Sequence, residues 1–326
     1  MKIAALLPHV EIFGGVRRYL EIGNEFIKRG HQFILYHSDG SSVDWFNFLG
    51  EIKPIGLAEK DNFDIVLCSE YSILNYFQKV RAKKKVFYFI LEKHKMEKEI
   101  CRQGYIFLGN SIGLCRRIEK KYGQKCFHAP GGINPDIFYP IEVPNKNNKL
   151  RIICYGRIYK KRKGVEKIIR VVDRLYRKYK FLELILFDTP VGKEKIDPRR
   201  MVSPKVPFKF YLNLPQKKMA WLYSQGEIFV SAEKRAGWSN TTAEAMACRL
   251  AVVCTKSGTE DFAVNNQTAL LVPFNNSFFI SQKVEKLIRD KDLRRNIAQK
   301  GYLKIQQFTW SKLVDGLEEF FRELVP

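Results

Sequence analysis

A single carboxylate stands in the small-residue stretch AGWSNTTAEAMACRLAVV, residues 236–253. Glu244 follows a polar turn and precedes Ala-Met-Ala-Cys, which predicts that it lies in the first turn of a helix just before an apolar strand. A helix N-terminus favours a carboxylate, and its two oxygens could accept hydrogen bonds from the hydroxyls of a sugar or ribose. An ordinary glutamate at a helix start fits the same pattern. The next polar stretch, SGTEDFAVNN, predicts a similar arrangement, with Glu260 and Asp261 at a helix start.

Glycine-containing loops after two strand-like runs provide further candidate ligand contacts. The loop GRIYKKRKG, residues 156–164, has five basic residues among nine and is followed directly by a helix-like run. Lysine and arginine charges beside a helix N-terminus suit a diphosphate, and a solvated basic loop is the alternative. Gly14 and Gly15 follow the first strand-like run and would let the next helix approach a ligand closely. They fit a plain tight turn equally well, because the spacing is not that of a dinucleotide-binding loop.

The elements that must position these residues alternate between apolar strand-like runs and helix-like runs. Such a βαβ series predicts an α/β fold with parallel sheets that are covered on both faces. The alternation breaks at HAPGGINPDIFYPIEVPNKNNK, which has four prolines and two glycines and is typical of a linker. We therefore expect two Rossmann-like domains, 1–145 and 146–326, facing each other across a cleft, and the last helix is a candidate to cross back to the first domain. Ligands of such sheets bind at the carboxyl ends of the strands.

The composition indicates an ordered and strongly basic protein. Of its 326 residues 45% are hydrophobic, which is enough for a sizeable core, and the formal net charge is +23. This excess favours an anionic partner: a phosphate ligand, a nucleic acid or an acidic membrane surface. The seven cysteines include no C-x-x-C pair, so we expect reduced thiols in a cytoplasmic protein and no metal site. The first residues fit a β-strand better than a signal peptide, and no run of about 18 apolar residues is long enough to span a membrane.

Five segments, taken in order, resemble the family 4 retaining glycosyltransferases, which have the GT-B fold. They are GGVRRYLEIGNEFIKRGH, PGGINPDIFYP, YGRIYKKRKG, GWSNTTAEAMACRLAVVCTKSGTEDFAVNNQTALLVP, and FTW near the end. The resemblance covers nearly the whole chain. It implies a nucleotide-sugar donor bound mainly by the second domain and a saccharide or lipid-linked acceptor bound mainly by the first. It also implies that no metal and no cofactor are required, since the nucleotide sugar is a substrate.

The resemblance assigns roles to the donor-binding residues. Arg157 and Lys163 would hold the donor diphosphate, and the loop of Gly14 and Gly15 in the first domain would lie against the same phosphates. Glu244 matches the second glutamate of the family's paired-glutamate motif and would bind the donor ribose. Backbone groups of a later turn would approach the sugar and the pyrophosphate. That turn contains Gly258 and Thr259.

The chain departs from the family eight residues before Glu244, where Ala236 stands in place of the first glutamate of that motif. The family glutamate contacts the donor sugar. Three alternatives follow: Glu233 reaches in from three residues upstream, the enzyme handles the sugar differently, or sugar turnover is impaired. The second alternative would use neighbouring hydroxyl and amide groups. These groups belong to Ser239, Asn240 and Thr241.

The first domain offers candidates for the reaction centre after the strand-like run KVFYFIL. Many family members have a histidine near the end of a middle strand, and here Glu92 is at about that place, with His94 two residues later. Either could shape the reaction centre, and a solvent-facing His94 is the alternative. The resemblance implies transfer with retention, in which the leaving phosphate helps to deprotonate the acceptor hydroxyl. No side-chain nucleophile is required on that account.

The resemblance predicts an enzyme of cell-envelope glycan or glycolipid synthesis, cytoplasmic or peripheral on the inner face of the membrane. Basic stretches in the first half, such as RAKKK at 81–85, could attract an anionic membrane surface or a lipid-linked acceptor. One alternative is a non-catalytic GT-B protein that binds a donor or partner, motivated by Ala236. Another is a nucleic-acid-binding protein, motivated by the charge. We expect no nucleic acid partner, because the sequence has no recognised nucleic-acid module and its basic residues are spread over the whole chain.

Overall fold

The chain forms two compact units, each built on its own parallel β-sheet. The computed structural model describes residues 1–144, 147–190, 197–273 and 276–325. Unit 1 comprises Met1–Gly132 and Thr309–Pro326, and unit 2 comprises Ile133–Phe308. The boundary expected between residues 145 and 146 lies outside the described residues. The contacts divide the chain after Gly132 instead, because Ile133 and Phe138 are buried among side chains of unit 2.

Unit 1 has a seven-stranded sheet in which the paired strands are parallel. Its strands are β1 (Lys2–Leu6), β2 (Gln32–His37), β3 (Glu51–Pro54), β4 (Asn62–Cys68), β5 (Arg81–Phe89), β6 (Ile106–Gly109) and β7 (Phe127–His128). Their order across the sheet is β3-β2-β1-β4-β5-β6-β7. In β1, Ile3 lies opposite Phe33 on one side and Ile65 on the other. The central strands are apolar and buried over most of their length because both faces of the sheet are covered.

The helices of unit 1 include the first and the last of the chain. They are α1 (Gly14–Lys28), α2 (Leu74–Lys79), α3 (Glu97–Ile100), α4 (Ile112–Tyr122) and α10 (Trp310–Leu324). Helix α1 ends before Gly30, whose φ of 80° is a left-handed conformation that stops a helix. Phe26 of α1 stacks on Phe321 of α10 with ring centroids 5.8 Å apart, and Arg29 donates to Asp315 at 2.6 Å. These contacts fix the end of the chain to the first helix.

Unit 2 repeats the design with six strands and the remaining helices. Its strands are β8 (Leu150–Tyr155), β9 (Leu182–Asp188), β10 (Phe208–Leu212), β11 (Ile228–Ser231), β12 (Ala251–Thr255) and β13 (Leu270–Val272). Its helices are α5 (Val165–Lys178), α6 (Met219–Tyr223), α7 (Asn240–Ala247), α8 (Ser277–Arg289) and α9 (Lys291–Ile305). The strand order is β10-β9-β8-β11-β12-β13, so the direction of winding reverses between β8 and β11. Ligands of open α/β sheets bind outside the carboxyl ends of the strands at such a reversal.

Each strand-like run of the sequence forms a strand, and β3, β7 and β10 are additions. The segment EIKP of β3 is short and half polar, so its pattern could not be distinguished from a loop. Within the described parts of the chain, no helix is both long and apolar enough to cross a membrane.

Candidate functional site

The loops that follow β8, β11 and β12 meet at the carboxyl edge of the sheet of unit 2. The Lys234 amide donates to the Arg162 carbonyl at 2.8 Å and so joins the loop after β11 to the loop after β8. The Ser239 amide donates to the Gly258 carbonyl at 2.8 Å and joins the loop after β11 to the loop after β12. Residues from three separate stretches of sequence are therefore held together at the point where the winding reverses.

Arg157 is fixed at this edge by the end of the neighbouring strand. Its Nε donates to Asp188 Oδ1 at 3.0 Å, and its Nη2 donates to the Thr189 carbonyl at 2.6 Å. The Asp188 side chain is fully buried, and the guanidinium also lies over the Tyr155 ring, 5.1 Å from the centroid. A buried carboxylate and a cation stabilise each other when both are removed from water. These contacts give the guanidinium a defined position.

Lys163 and Glu233 form an ion pair between the loops after β8 and β11. The Lys163 ammonium contacts Glu233 Oε1, and the Glu233 side chain is only 6% exposed. Ser239 Oγ donates to the other carboxylate oxygen at 3.4 Å. Gly164 follows the lysine with a φ of 67°, and a Cβ there would come within 2.7 Å of the Ala232 carbonyl oxygen. Only glycine fits this close approach between the two loops.

The polar turn before α7 is more ordered than the sequence suggests. Ser239 is the N-cap residue, and its hydroxyl lies 2.7 Å from that of the fully buried Thr242. Asn240 and Thr241 are the first two helical residues, and both are half-buried. The structure thus places all three predicted polar residues at the start of one helix, and Ser239 contacts Glu233.

Glu244 lies in the second turn of α7, so its predicted position in the first turn is wrong. The helix begins at Asn240, four residues before Glu244, so the polar residues between them are helical. The charge at the helix N-terminus, which is felt mainly in the first turn, is therefore not what stabilises this carboxylate. Instead, the Tyr223 hydroxyl donates to Glu244 Oε2 at 2.8 Å in a buried contact. The glutamate itself is 9% exposed.

Gly258 brings the turn after β12 against the loop after β11. Its φ is 69°, and a Cβ there would lie 2.8 Å from the Ala236 Cβ and 2.9 Å from the Ser239 amide nitrogen. Thr259 is buried, and its hydroxyl donates to the Thr255 carbonyl at 2.8 Å. The two predicted turn residues therefore have a structural role, and they place backbone close to Ser239.

The predicted helix at Glu260 and Asp261 is not formed. Residues 257–262 are a series of hydrogen-bonded turns, in which the Phe262 amide donates to the Thr259 carbonyl at 3.1 Å. The glycine that allows the left-handed turn at 258 also ends the regular backbone, so the acidic residues do not begin a helix.

Gly14 and Gly15 of unit 1 are the first two residues of α1, rather than part of a turn before it. Phe13 is the N-cap residue and makes no side-chain capping bond. A Cβ on Gly15 would lie 3.0 Å from Ile90 Cδ1, which follows β5. The glycine therefore allows the first turn of α1 to pack closely on the end of a neighbouring strand.

Glu92 and His94 lie in one loop after β5. Lys93 between them has a φ of 61°, an uncommon conformation for a residue with a side chain. The His94 ring stacks on Tyr71 with centroids 3.7 Å apart, and its amide donates to Glu97 at 3.1 Å. Burial lowers the pKa of the His94 imidazole below its usual value, so the ring is neutral at pH 7. His94 is half-buried and held within unit 1, and is not fully solvent-facing.

Sequence analysis did not identify Asp188, Tyr155 or Tyr223 as part of this constellation. Asp188 ends the apolar run FLELILFD, and a carboxylate at the carboxyl end of a predicted strand was a usable signal. Tyr155 similarly ends β8. Tyr223 ends a short helix with an ordinary apolar pattern, so nothing in the sequence distinguishes it from a core residue.

Comparison with known protein families gives a match over the second half of the chain. The family described as glycosyl transferases group 1 matches residues 139–304. The probable sucrose-phosphate synthase of Thermosipho melanesiensis is 26% identical over 272 residues, which are 79% of this chain and 60% of that protein. The capsular polysaccharide biosynthesis glycosyltransferase CapM of Staphylococcus aureus is 26% identical over 187 residues, which are 54% of this chain and 48% of that protein. The chain thus spans about half of the length of the curated relatives it matches.

Solved structures share the fold over almost the whole chain. Sucrose-phosphate synthase from Thermosynechococcus elongatus has a TM-score of 0.80 at 15% identity, with 99% of this chain and 98% of that chain covered. HepE from Anabaena, solved in complex with UDP-glucose, has a TM-score of 0.78 at 14% identity, with 99% and 100% covered. These likenesses, together with the two parallel sheets, confirm the predicted α/β class with two Rossmann-like domains.

Replacing Gly258 by alanine tests how tightly the turn is built. We expect Gly258→Ala to lower the free energy of unfolding of unit 2 by about 2 kcal/mol or more, because left-handed strain adds to the contact with Ala236 and the Ser239 amide. Gly123→Ala is the matched control, since Gly123 has a φ of 68° and no atom within 4 Å of an added Cβ. It should cost only about 1 kcal/mol. Urea denaturation measures both, and equal losses would show that the turn has room for a side chain.

Proposed function

The chain belongs to the glycosyl transferases group 1 family, and on that basis we propose that it transfers a sugar from a nucleotide-sugar donor to a hydroxyl of an acceptor. The acceptor is a saccharide or a lipid-linked saccharide, and the reaction belongs to cell-envelope glycan or glycolipid synthesis. The GT-B fold supports this proposal. The observation that carries it is that the loops after β8 and β11 are joined at the carboxyl edge of a single sheet. Arg157 and Lys163 have fixed partners there, and Glu244 lies in the helix that follows the second loop.

The two cations are suited to the diphosphate of the donor. As the bond from sugar to phosphate breaks, negative charge grows on the leaving nucleoside diphosphate, and fixed positive charges stabilise it. Arg157 is held in place by Asp188, so it can act as such a fixed charge. Lys163 is paired with Glu233, and a diphosphate would compete with that carboxylate for the ammonium.

Glu244 is the proposed ribose ligand, and Glu233 with Ser239 is the proposed contact to the donor sugar. Ala236 provides no carboxylate, but Glu233 places one in the same loop, next to Lys163 and Ser239. This arrangement favours the alternative in which Glu233 takes over from the missing family residue. The second candidate function, a non-catalytic binding protein of the same fold, is favoured by Ala236 alone.

We propose transfer with retention, in which the leaving phosphate helps to deprotonate the acceptor hydroxyl on the same face. Positioning and charge stabilisation are then the main contributions of the protein. In unit 1, Glu92 and His94 are the proposed residues that shape the reaction centre. The His94 Nδ1 accepts from the Met96 amide at 3.2 Å, so Nε2 of the neutral ring carries the proton and is available to donate a hydrogen bond to the acceptor. The proposal includes no metal and no cofactor. Within the described ranges no group of three or more His, Cys, Asp or Glu side chains could hold a metal ion.

The candidate donors are UDP-, GDP- and dTDP-linked sugars. HepE was solved with UDP-glucose, which supports testing UDP-sugars first. A thermal-shift panel of the three nucleoside diphosphates and their sugars identifies the base, because a ligand that binds only the folded state raises the melting temperature. Product analysis with the best donor then identifies the transferred sugar.

Single replacements of Arg157, Lys163 and Glu244 by alanine test the donor site. Each should weaken binding of the best nucleoside diphosphate by about tenfold or more, because each removes a charged hydrogen-bond partner. Isothermal titration calorimetry measures the affinity, with the exposed Arg177→Ala on α5 as the control. Affinities equal to that of the parent in all three variants would show that the site is wrongly assigned.

If Glu233 contacts the donor sugar, its replacement should reduce turnover without weakening the binding of the nucleoside diphosphate. Glu233→Gln should bind the nucleoside diphosphate at least as tightly as the parent, because glutamine no longer competes for Lys163. Turnover of the nucleotide sugar, measured as transfer or slow hydrolysis, should fall by about a hundredfold. Glu260→Gln, an exposed change in the neighbouring turn, is the control. Undiminished turnover in the Glu233 variant contradicts the proposed contact of Glu233 with the donor sugar. If the parent binds the nucleotide but never turns over any sugar, the second candidate function, a non-catalytic binding protein, is supported.

We further propose that unit 1 docks on the anionic inner face of the cytoplasmic membrane through the amino end of β5. Arg81, Lys83 and Lys84 are exposed there, and Lys83 is paired with Asp64 at 2.8 Å. Replacement of Lys83, Lys84 and Lys85 by glutamate should weaken binding to vesicles containing phosphatidylglycerol by about a hundredfold or more, since each basic residue near such a surface contributes about 1 kcal/mol. Sedimentation measures the bound fraction. Donor affinity should not change.

The matched control is the same change of charge on unit 2. Arg170, Arg174 and Arg177 are exposed on α5, and their replacement by glutamate alters the net charge equally. If that variant loses vesicle binding as much as the lysine variant does, the net charge of the protein and not the surface at β5 is responsible.

A further inference from the structure

Tyr223 is a buried residue whose hydroxyl contacts Glu244, the residue proposed to bind the donor ribose. It ends α6, is 0% exposed, and donates its hydroxyl to Glu244 Oε2 at 2.8 Å. The contact joins two elements that are 21 residues apart in the sequence. A phenylalanine would fill the same volume, so packing alone does not account for the hydroxyl.

The Tyr223 ring is held by aromatic neighbours. Its centroid lies 5.4 Å from that of Phe187, 6.0 Å from that of Phe229 and 6.3 Å from that of Phe138, with the rings tilted or edge-on. Such a packed ring has few alternative rotamers. The hydroxyl therefore has a defined position, and so does the carboxylate that accepts from it.

The direction of this hydrogen bond, from the Tyr223 hydroxyl to the Glu244 carboxylate, is fixed. Burial raises the pKa of the Tyr223 hydroxyl well above its usual value, and the charge of Glu244 raises it further. The phenol therefore stays protonated at physiological pH and can only donate to the carboxylate. The Glu244 side chain remains an acceptor for other donors, as the hydroxyls of a sugar are.

The same aromatic layer extends to Arg157, which is proposed to bind the diphosphate. Phe187 lies 5.4 Å from Tyr223 and 5.4 Å from Tyr155, and the Arg157 guanidinium lies over the Tyr155 ring at 5.1 Å. Glu244 and Arg157 are thus positioned by one continuous set of packed rings. Covalent bonds limit the distance between the ribose and the phosphates of a nucleoside diphosphate, and a rigid layer of this kind can match one such distance.

We propose that Tyr223 is the positioning residue for ribose recognition: it orients the Glu244 carboxylate to accept both the 2′ and the 3′ hydroxyl of the donor nucleoside. The inference rests on the proposed function, in which Glu244 meets the ribose. It makes the site selective for ribonucleotide donors, such as UDP- or GDP-sugars, over the 2′-deoxyribose of a dTDP-sugar. A vicinal diol donates two hydrogen bonds to an oriented carboxylate, and a 2′-deoxyribose donates only one.

Tyr223→Phe tests this inference because it removes the hydroxyl and keeps the ring. Calorimetric titrations with UDP and dUDP, and with GDP and dGDP, give the preference for ribose within each protein. The parent should bind the ribonucleotide about tenfold more tightly than its deoxy counterpart. In Tyr223→Phe that ratio should fall to about threefold or less, and the affinity for the deoxynucleotide should change much less than that for the ribonucleotide.

Tyr179→Phe is the matched control. Tyr179 also donates to a glutamate, Glu285, at 2.8 Å in the same unit, but it lies at the carboxyl end of α5, on the opposite edge of the sheet. Its loss should leave the preference for ribose unchanged. A second control is the double variant of Tyr223→Phe with Glu244→Gln, whose affinity for UDP should match that of Glu244→Gln alone, since the tyrosine acts through the glutamate.

The outcomes separate the inference from the proposed function. If the parent and Tyr223→Phe prefer the ribonucleotide to the same extent, the inference is overturned while donor binding stands. If Glu244→Gln keeps the full preference, or only dTDP binds, the ribose assignment fails and the inference fails with it. If no nucleoside diphosphate binds the parent, the proposed function itself is wrong. A general loss of stability in Tyr223→Phe would weaken both members of each nucleotide pair equally and would leave the ratio unchanged, which also overturns the inference.

Discussion

The candidate site of unit 2 depends on one constraint, which is that charged groups at the edge of a buried sheet must have partners. Removing an ion from water costs several kcal/mol unless a charge or hydrogen bond compensates it. Each of the three charged side chains of the site has such a partner in the same unit. The pairs are Arg157 with Asp188, Lys163 with Glu233, and Glu244 with Tyr223. A ligand therefore meets charges that are already oriented, and little reorganisation is needed when it binds.

The partners differ in how easily a ligand could displace them. Asp188 is fully buried, and Arg157 also donates to a backbone carbonyl, so this pair is a fixed part of the unit. The Lys163 side chain is 18% exposed and has a carboxylate as its partner, which a diphosphate can replace. In the proposed function, that exchange would release Glu233 beside Ser239, where the sugar is expected. Binding of the diphosphate and contact with the sugar would then be linked through one ion pair.

The sequence predicted the elements well and the contacts between them only in part. Apolar strands that are buried on both faces, such as ELILFD in β9, have a pattern that does not depend on the rest of the chain. The start of α7 was misplaced because the residues before Glu244 are polar and resemble a loop. In the structure they are helical, and the N-cap residue Ser239 is held by the Gly258 carbonyl and by a local contact with Thr242. A helix was predicted to begin after the turn at Gly258, but further turns follow there. Tyr223 could not be found, since its role arises from a contact 21 residues away.

The buried charges of the site cannot by themselves attract a diphosphate from solution, because formally they are two cations and three carboxylates. The surrounding loops supply the missing positive charge from exposed side chains. These are Lys160, Lys161, Arg162, Lys234 and Arg235. Exposed cations act over a distance and are screened by salt, so they increase the rate of encounter with any anion. The buried pairs act only in contact and depend on geometry, so they determine which anion stays. The large positive charge of the chain and the selectivity of its site thus have separate physical origins, and only the second depends on the fold.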